Sequence, residues 1–204
     1  MIDFSLYLIT DRHQTAGRPL LEVLEAALSG GVRAVQLREK DLPTAELYDL
    51  AWELRALTAR FDARLFINDR IDVALAVEAD GVHLGKSSLP VTAARRIAPE
   101  LLIGYSSHGV GEAAAALAKG ADFVTFGPVF PTPSKAAYGE PLGLAELARA
   151  CETLTGPVFA LGGVAPKNLK QVTGAGCYRV ALISAILAAA GPAASAEEIR
   201  RALN

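Results

Sequence analysis

The sequence predicts a single-domain α/β protein, a closed (β/α)8 TIM barrel over residues 1–204. Short apolar runs of strand length alternate with stretches of helical periodicity, and eight such pairs fit within 204 residues. Crossovers this short force parallel neighbours, and eight parallel strands close naturally on themselves. Polar side chains recur just after the apolar runs, and Gly162-Gly163 follows the seventh, where barrels often bind phosphate. An open doubly wound sheet is the runner-up, because periodicity does not register closure.

Each element has a local reason. Ser5 to Thr10 is an apolar strand that ends in the polar turn Asp11-Arg12-His13-Gln14. Pro19 opens a helix with Leu20, Leu21, Leu24 and Leu28 at near-helical spacing, and Gly30-Gly31 stops it. The next strand runs from Ala34 and turns polar on alternate residues, so that Gln36, Arg38 and Lys40 share a face while Glu39 points to the other. A helix from about Pro43 to Arg60 carries the stripe Leu47, Leu50, Leu54 and Leu57. Leu65 to Ile67 is a buried strand ending at Asn68-Asp69-Arg70; Ile71 to Glu78 is a short helix, and Gly81 to Leu84 a strand closed by Gly85. Pro90 starts a helix with Val91, Ala94 and Ile97 inward, before the strand Leu101 to Gly104 and the polar run Tyr105-Ser106-Ser107-His108. The alanine-rich Glu112 to Lys119 is a strong helix and Phe123 to Phe126 a strand. An irregular loop from Gly127 to Gly143 precedes helix Leu144 to Thr153 and strand Val158 to Leu161. A helix around Asn168 to Val172, a last strand from Tyr178 to Ile183 and alanine-rich helix through Ala196 to Leu203 complete the chain.

Composition narrows the class. Hydrophobic residues make up 51% and charged ones 21%, enough for a sizeable core. A net charge of -2 gives no reason to expect nucleic acid or an anionic membrane, so any positive site is local. Cys151 and Cys177 have neither metal-ligand spacing nor a disulfide framework, which makes the reducing cytoplasm the default. No signal peptide is expected at the N-terminus, and the apolar run Val180 to Ala190 is too short to cross a bilayer. The expected partners are therefore small molecules, with room for a homodimer.

In a barrel, the polar groups after successive strands converge on one mouth. Arg38, Lys40 and Lys135 are cations with hydroxyl and amide donors about them (Gln36, Asn68, Ser106, Thr132 and Ser134), an arrangement suited to phosphate oxygens. Asp69 can bridge Mg2+ to a diphosphate, since Mg2+ needs only one or two carboxylates when phosphate and water complete its shell. Gly162-Gly163 can present bare N–H groups to a second phosphate. Bland readings stand beside these: a plain Gly-Gly turn, Ser184 as a helix N-cap, and His83 as a hydrogen-bonded core residue outside the site.

The runs QLREK, IND, ADGVHLG, GYSSH, GPVFPTPSK, ALGGV and ISAI occur together from Tyr7 to about Leu187. In this order and spacing they resemble the thiamine phosphate synthase / thiazole tautomerase superfamily. For its synthase branch the resemblance implies coupling of hydroxymethylpyrimidine diphosphate with thiazole phosphate, assisted by Mg2+. It implies Gln36 on the pyrimidine, and Arg38, Lys40, Asn68, Ser106 and Lys135 on the diphosphate. Asp69 and Ser88 fall at the metal positions, and Thr132, Ser134, Gly163, Ile183 and Ser184 at the thiazole phosphate. Arg38, Lys40, Ser106, His108 and Lys135 form the implied catalytic set.

There is one departure. The synthase pattern has an aspartate where this chain has Ser88, within Gly85-Lys86-Ser87-Ser88-Leu89-Pro90, and a serine there is similar to the tautomerase branch. That branch isomerises a thiazole carboxylate phosphate, needs no Mg2+, and has a histidine at the position of His108 as the proposed acid/base. The synthase reading leads because the diphosphate motif set is otherwise retained, and a weakened Mg2+ site is expected. Lys86 shares a face with Ser88 only if that segment is extended. A non-catalytic phosphate-binding regulator is the remote third reading.

Overall fold

The computed structural model describes residues 2–132 and 140–203. Eight strands, β1 (Leu6–Ile9), β2 (Ala34–Leu37), β3 (Arg64–Asn68), β4 (Gly81–Leu84), β5 (Leu102–Ser107), β6 (Phe123–Phe126), β7 (Val158–Leu161) and β8 (Val180–Leu182), form a closed parallel barrel in chain order. Closure is made by β1, which pairs with β2 (Ile9 opposite Gln36) and with β8 (Tyr7 opposite Ala181). Helices α1 (Leu20–Ser29), α2 (Thr44–Arg60), α3 (Ile71–Ala76), α4 (Val91–Ile97), α5 (Val110–Ala118), α6 (Gly143–Thr153) and α7 (Leu169–Gly174) each follow a strand, with α8 (Ser184–Leu187) and α9 (Pro192–Leu203) after β8. The expected closed barrel is thus found, and the open sheet is set aside. Among the described residues no helix is long and apolar enough to cross a membrane.

The strands are buried on both faces, and their two sets of side chains enter different cores. Outward residues such as Leu8, Val35, Leu65 and Val124 pack with Leu24, Leu28, Leu54 and Ala113 of the helices. Inward residues fill the barrel, where Phe4, Tyr7, Phe66, Phe123 and Phe159 meet at centroid distances between 5.2 and 6.0 Å, many of them edge to face. The rings need space from small neighbours. A Cβ on Gly81 would collide with Phe66, and one on Gly104 with His83 and Phe123. This aromatic plug closes the lower barrel and leaves the polar residues above it as the floor of a cavity.

The N-terminal rim is tied by carboxylates. Asp80, just before β4, accepts from the Leu65 N–H at 2.8 Å and from Arg55 at 2.6 Å. Asp122, just before β6, does the same with the Ile103 N–H at 2.7 Å and Arg95 at 2.6 Å. That end of a barrel serves stability rather than chemistry.

Several sequence expectations need correction. Ile97 is 57% exposed rather than inward, because α4 ends there. The last strand is only Val180–Leu182, and Tyr178 is exposed. β5 continues through Ser107, so Ser106 is a strand residue and its side chain is aimed by the ladder. β2 stops at Leu37, and the chain turns at Lys40-Asp41, so the alternation that aligned Lys40 with Gln36 and Arg38 is broken. The Lys86–Ser88 segment is a turn with Lys86 exposed, so the extended arrangement that would pair Lys86 with Ser88 is absent.

Candidate active site

Above the aromatic plug, at the C-terminal ends of the strands, lies a cavity of about 210 Å³. Gln36, Arg38, Ser106, His108, Thr132, Gly163, Ile183 and Ser184 all line it, as do Gly162 and the unforeseen Asp11, Gln14 and Thr125. Asn68 ends β3 half-buried and outside this lining; Ser88, half-buried, and Lys40 and Asp69, both exposed, also lie outside it. Ser134 and Lys135 lie outside the described residues. The polar run after β1 carried the same signal as the others, which would have drawn attention to Asp11 and Gln14. Thr125 sits within an apolar strand and had no such signal.

The arm carrying Arg38 is held from below and behind. Its backbone N–H donates to Thr10 Oγ1 at 2.9 Å. The buried Glu39 turns away, as its alternation required, and accepts from the Arg12 backbone N–H at 3.1 and 3.2 Å and from the Arg12 guanidinium at 3.2 Å. The same guanidinium forks onto Asp41 with two bonds of 2.7 Å, while His13 Nε2 lies 3.0 Å from Asp41. Arg12 and His13 hold the Asp41 carboxyl well below the usual range. Every nearby carboxylate on this arm is thereby engaged by Arg12, and Arg38 has no ion pair to a described residue. Its charge is left for the cavity.

The floor is a buried polar chain. Gln36 Nε2 donates to Tyr7 Oη at 3.0 Å, Tyr7 Oη is 3.4 Å from His83 Nδ1, and His83 Nε2 is 3.0 Å from Ser106 Oγ. Thr125 Oγ1 lies 3.5 Å from the same Nε2. His83 is a hydrogen-bonded core residue, as its apolar strand implied. Burial, with a smaller contribution from the Arg38 charge, lowers its pKa from 6.5 to about 3. Burial also pushes the Tyr7 phenol well above its usual range, so both rings are neutral.

This has a consequence for acid stability. An unfolded chain protonates His83 below its ordinary pKa of 6.5, whereas the folded chain does not until about 3. The His83 contribution is complete above that upper value and is lost as pH falls through the interval. Melting temperature measured across this range should therefore fall more steeply for wild type than for His83→Gln. Equal slopes would contradict the assignment.

The opposite part of the lining is backbone. Gly162 and Gly163 have φ of +94° and +65°, the left-handed region that favours glycine. A Cβ on Gly162 would lie 2.6 Å from Pro128 Cα, and one on Gly163 2.7 Å from Phe130 Cβ. The β6–α6 loop thus packs directly on this turn, with Val129 N–H donating to Leu161 O at 2.9 Å and Phe130 N–H to Gly162 O at 3.0 Å. Asn168 Nδ2 holds Gly163 O at 2.8 Å. The carbonyls are occupied, while the N–H groups of Gly163, Val164, Ser184 and Ala185 make no hydrogen bond to a described residue. Ser184 is the first residue of α8 rather than its cap, which is Ile183. Bare donors at the ends of β7 and β8 suit a phosphate.

The residues at the implied metal positions follow β3 and β4. Asp69 has φ +65°, donates its N–H to His83 O at 2.9 Å, and its exposed carboxylate makes no hydrogen bond or ion pair to a described residue, although it acts on the Arg70 charge. Ser88 Oγ accepts from the Gly85 N–H at 2.8 Å, which leaves its proton and one lone pair. Among the described residues no three acidic, His or Cys side chains gather as a ready-made ion cage. One carboxylate and one hydroxyl fit Mg2+ only when substrate oxygens and water supply most of its shell.

Comparison with known proteins agrees with this geometry. The thiamine monophosphate synthase family model matches residues 6–186. A protein of Geobacter sulfurreducens, provisionally named a thiamine-phosphate synthase, is 60% identical over 94% of this chain and 90% of its own. The thiamine-phosphate synthase of Clostridium novyi is 46% identical over 91% of this chain and 92% of its own. Among solved structures, thiamine phosphate pyrophosphorylase from Pyrococcus furiosus superposes with a TM-score of 0.90 at 41% identity, covering 98% of this chain and 95% of that one. With the family model spanning all eight strands of the barrel, the chain belongs to the thiamine monophosphate synthase family.

Proposed function

We propose that this chain is a cytoplasmic thiamine-phosphate synthase that joins hydroxymethylpyrimidine diphosphate to thiazole phosphate, giving thiamine phosphate and pyrophosphate. One observation carries the reading. A single cavity is lined by Arg38 and Ser106 and also by Gly163 and Ser184, whose N–H groups make no hydrogen bond to a described residue, so it offers groups for two phosphates. The free thiols Cys151 and Cys177 suit a reducing compartment.

The coupling breaks the bond between the pyrimidine methylene and the diphosphate oxygen, whose electron pair leaves with pyrophosphate. The thiazole nitrogen forms the new bond with its lone pair, and no proton need move. Charge grows on the leaving oxygens as the bond breaks, so Arg38 and the Ser106 hydroxyl stabilise the transition state more than the bound substrate. Lys40, Asn68 and Lys135 complete the proposed diphosphate contacts, with Gln36 on the pyrimidine. Thr132, Ser134, Gly163, Ile183 and Ser184 hold the thiazole phosphate. Asp69 and Ser88 would hold Mg2+, which when bound supplies positive charge to the leaving diphosphate.

A hydroxyl in place of a carboxylate removes one negative charge from that site. Ser88→Asp should therefore lower the Mg2+ concentration needed for half-maximal rate, read from coupling rates over a Mg2+ titration. An unchanged half-saturation point would remove Ser88 from the metal site.

The tautomerase reading keeps one specific observation in its favour: His108 lines the cavity, with Nδ1 3.7 Å from Glu112 Oε2. The test is to supply the purified protein with each substrate set in turn. Thiamine phosphate should form from the diphosphate and thiazole phosphate, and His108→Ala should alter that turnover by less than about tenfold. Isomerisation of the carboxylate phosphate without coupling, with a loss of about 10²–10⁴-fold in His108→Ala, would establish the tautomerase instead.

A further inference from the structure

The buried chain under the cavity connects two residues that face the ligand, Gln36 and Ser106, through two that line no part of the cavity, Tyr7 and His83. We propose that Tyr7 and His83 are positioning residues of a directional hydrogen-bond relay, which makes Ser106 a donor towards an anionic oxygen and Gln36 Oε1 an acceptor towards a ring-bound amino group. This rests on the coupling reading and deepens it, since it says how the floor tells the two ends of one substrate apart.

The direction follows from counting protons. Gln36 Nε2 is a donor only, so at 3.0 Å Tyr7 Oη must accept from it. The phenol proton then has one neighbour able to take it, His83 Nδ1 at 3.4 Å. An unprotonated Nδ1 in a neutral ring puts the proton on Nε2, which donates to Ser106 Oγ at 3.0 Å, with Thr125 Oγ1 sharing it at 3.5 Å. Ser106 has now accepted from inside, and its own proton is left to point into the cavity. Gln36 has spent an N–H inward, and its carbonyl oxygen is left for the ligand.

With a neutral ring and the nearer hydroxyl, Ser106, as the partner of Nε2, one other arrangement satisfies every group, and it is the complete reversal. There Gln36 is flipped, Tyr7 donates to its oxygen, His83 carries its proton on Nδ1, and Ser106 donates inward to Nε2. Reversal would leave lone pairs alone at the Ser106 end, where an anion has to sit, and that is unfavourable in a low-dielectric floor. A half-reversed chain strands a buried donor or sets two acceptors against each other, and either is unfavourable. The two ends are thus coupled: a phosphate oxygen at Ser106 fixes which face of the Gln36 amide is shown to the ring. With Gln36 Nε2 turned towards Tyr7 an imidazolium fails too, because no acceptor would remain for the Tyr7 proton, and a charged ring is disfavoured by burial and by the Arg38 charge. The fold makes room for this chain: a Cβ on Gly104 would collide with His83 Nδ1.

Two measurements test it, and the first needs no enzymatic activity. Nitrogen-15 NMR of the whole protein near neutral pH, with the His83 signals assigned through His83→Gln, should show a neutral ring with its proton on Nε2. A proton on Nδ1, or on both nitrogens, overturns the relay. The second is a double-mutant cycle on coupling rate. His83→Leu should reduce kcat/KM by about tenfold, a typical hydrogen-bond loss, but have little further effect in a Ser106→Ala background. His83→Gln, which can still donate to Ser106, should recover part of that loss. Equal losses in both backgrounds, or equal losses for Leu and Gln, would reduce His83 to a packing role and overturn the proposal. Absence of any coupling with the Nε2 proton in place would instead refute the synthase reading and leave the relay standing.

Discussion

Arg38→Ala is expected to lower kcat/KM for coupling by about 10²–10³-fold, the usual size for loss of one fixed donor to developing charge. The reason is that nothing else on its arm competes for it. Glu39 and Asp41 are both taken by Arg12, and the Arg38 guanidinium makes no hydrogen bond or ion pair to a described residue. A half-buried cation without a partner is costly to keep and is maximally available to an anionic ligand. The substitution removes no apolar contact of the barrel, so the melting temperature should change little. It should also raise the His83 pKa, because the Arg38 charge is one of the two causes depressing it. A loss below about threefold in kcat/KM, with the protein folded, would show that Arg38 does not face the leaving group.

Gly163→Ala is the second large effect, and it acts on the other substrate. At φ +65° an L-residue is strained by about 1–3 kcal/mol. Its Cβ would also lie 2.7 Å from Phe130 Cβ and 2.8 Å from Pro131 O, in the loop that carries Thr132 to the cavity. Relief comes by displacing that loop, by turning the Gly163 N–H away, or both. We expect the KM for thiazole phosphate to rise about tenfold or more, since 1.4 kcal/mol is already tenfold, while binding of the diphosphate substrate stays within about threefold. Initial rates with each substrate varied in turn give the answer. Equal rises for both would mean that the turn supports the whole mouth rather than one phosphate.

The barrel was legible because its strands are short buried runs with clear punctuation. Gly81–Leu84, Phe123–Phe126 and Val158–Leu161 have the bounds their sequence implied, each flanked by Gly, Pro or Asp that cannot continue the run. Boundaries failed where pattern outlasted structure. The polar alternation through Lys40 looks like one strand face, yet β2 ends at Leu37 and a turn takes Lys40 away. Ile97 completes a helical stripe on paper, but it is the last residue of α4 and faces solvent.

The cavity was legible for the same reason that barrels place chemistry at strand ends. The Gln36-Arg38 pair, Ser106 and Gly163 are far apart in sequence and share only that position. What the sequence could not display is contact across the barrel. Tyr7 and His83 read as core residues, and they are buried, but their value lies in touching Gln36 and Ser106, the four residues coming from four different strands. Asp11 and Gln14 read as a turn, although the turn faces the cavity.

The central claim is that one cavity offers two separate anion subsites. Calorimetric titration of wild type, Arg38→Ala and Gly163→Ala with inorganic pyrophosphate in Mg2+, and separately with thiazole phosphate, tests it most directly. Wild type should bind both ligands; Arg38→Ala should lose pyrophosphate and keep thiazole phosphate, and Gly163→Ala should do the reverse. Parallel loss of both ligands in each variant, or no loss in either, would contradict two subsites built on different strands.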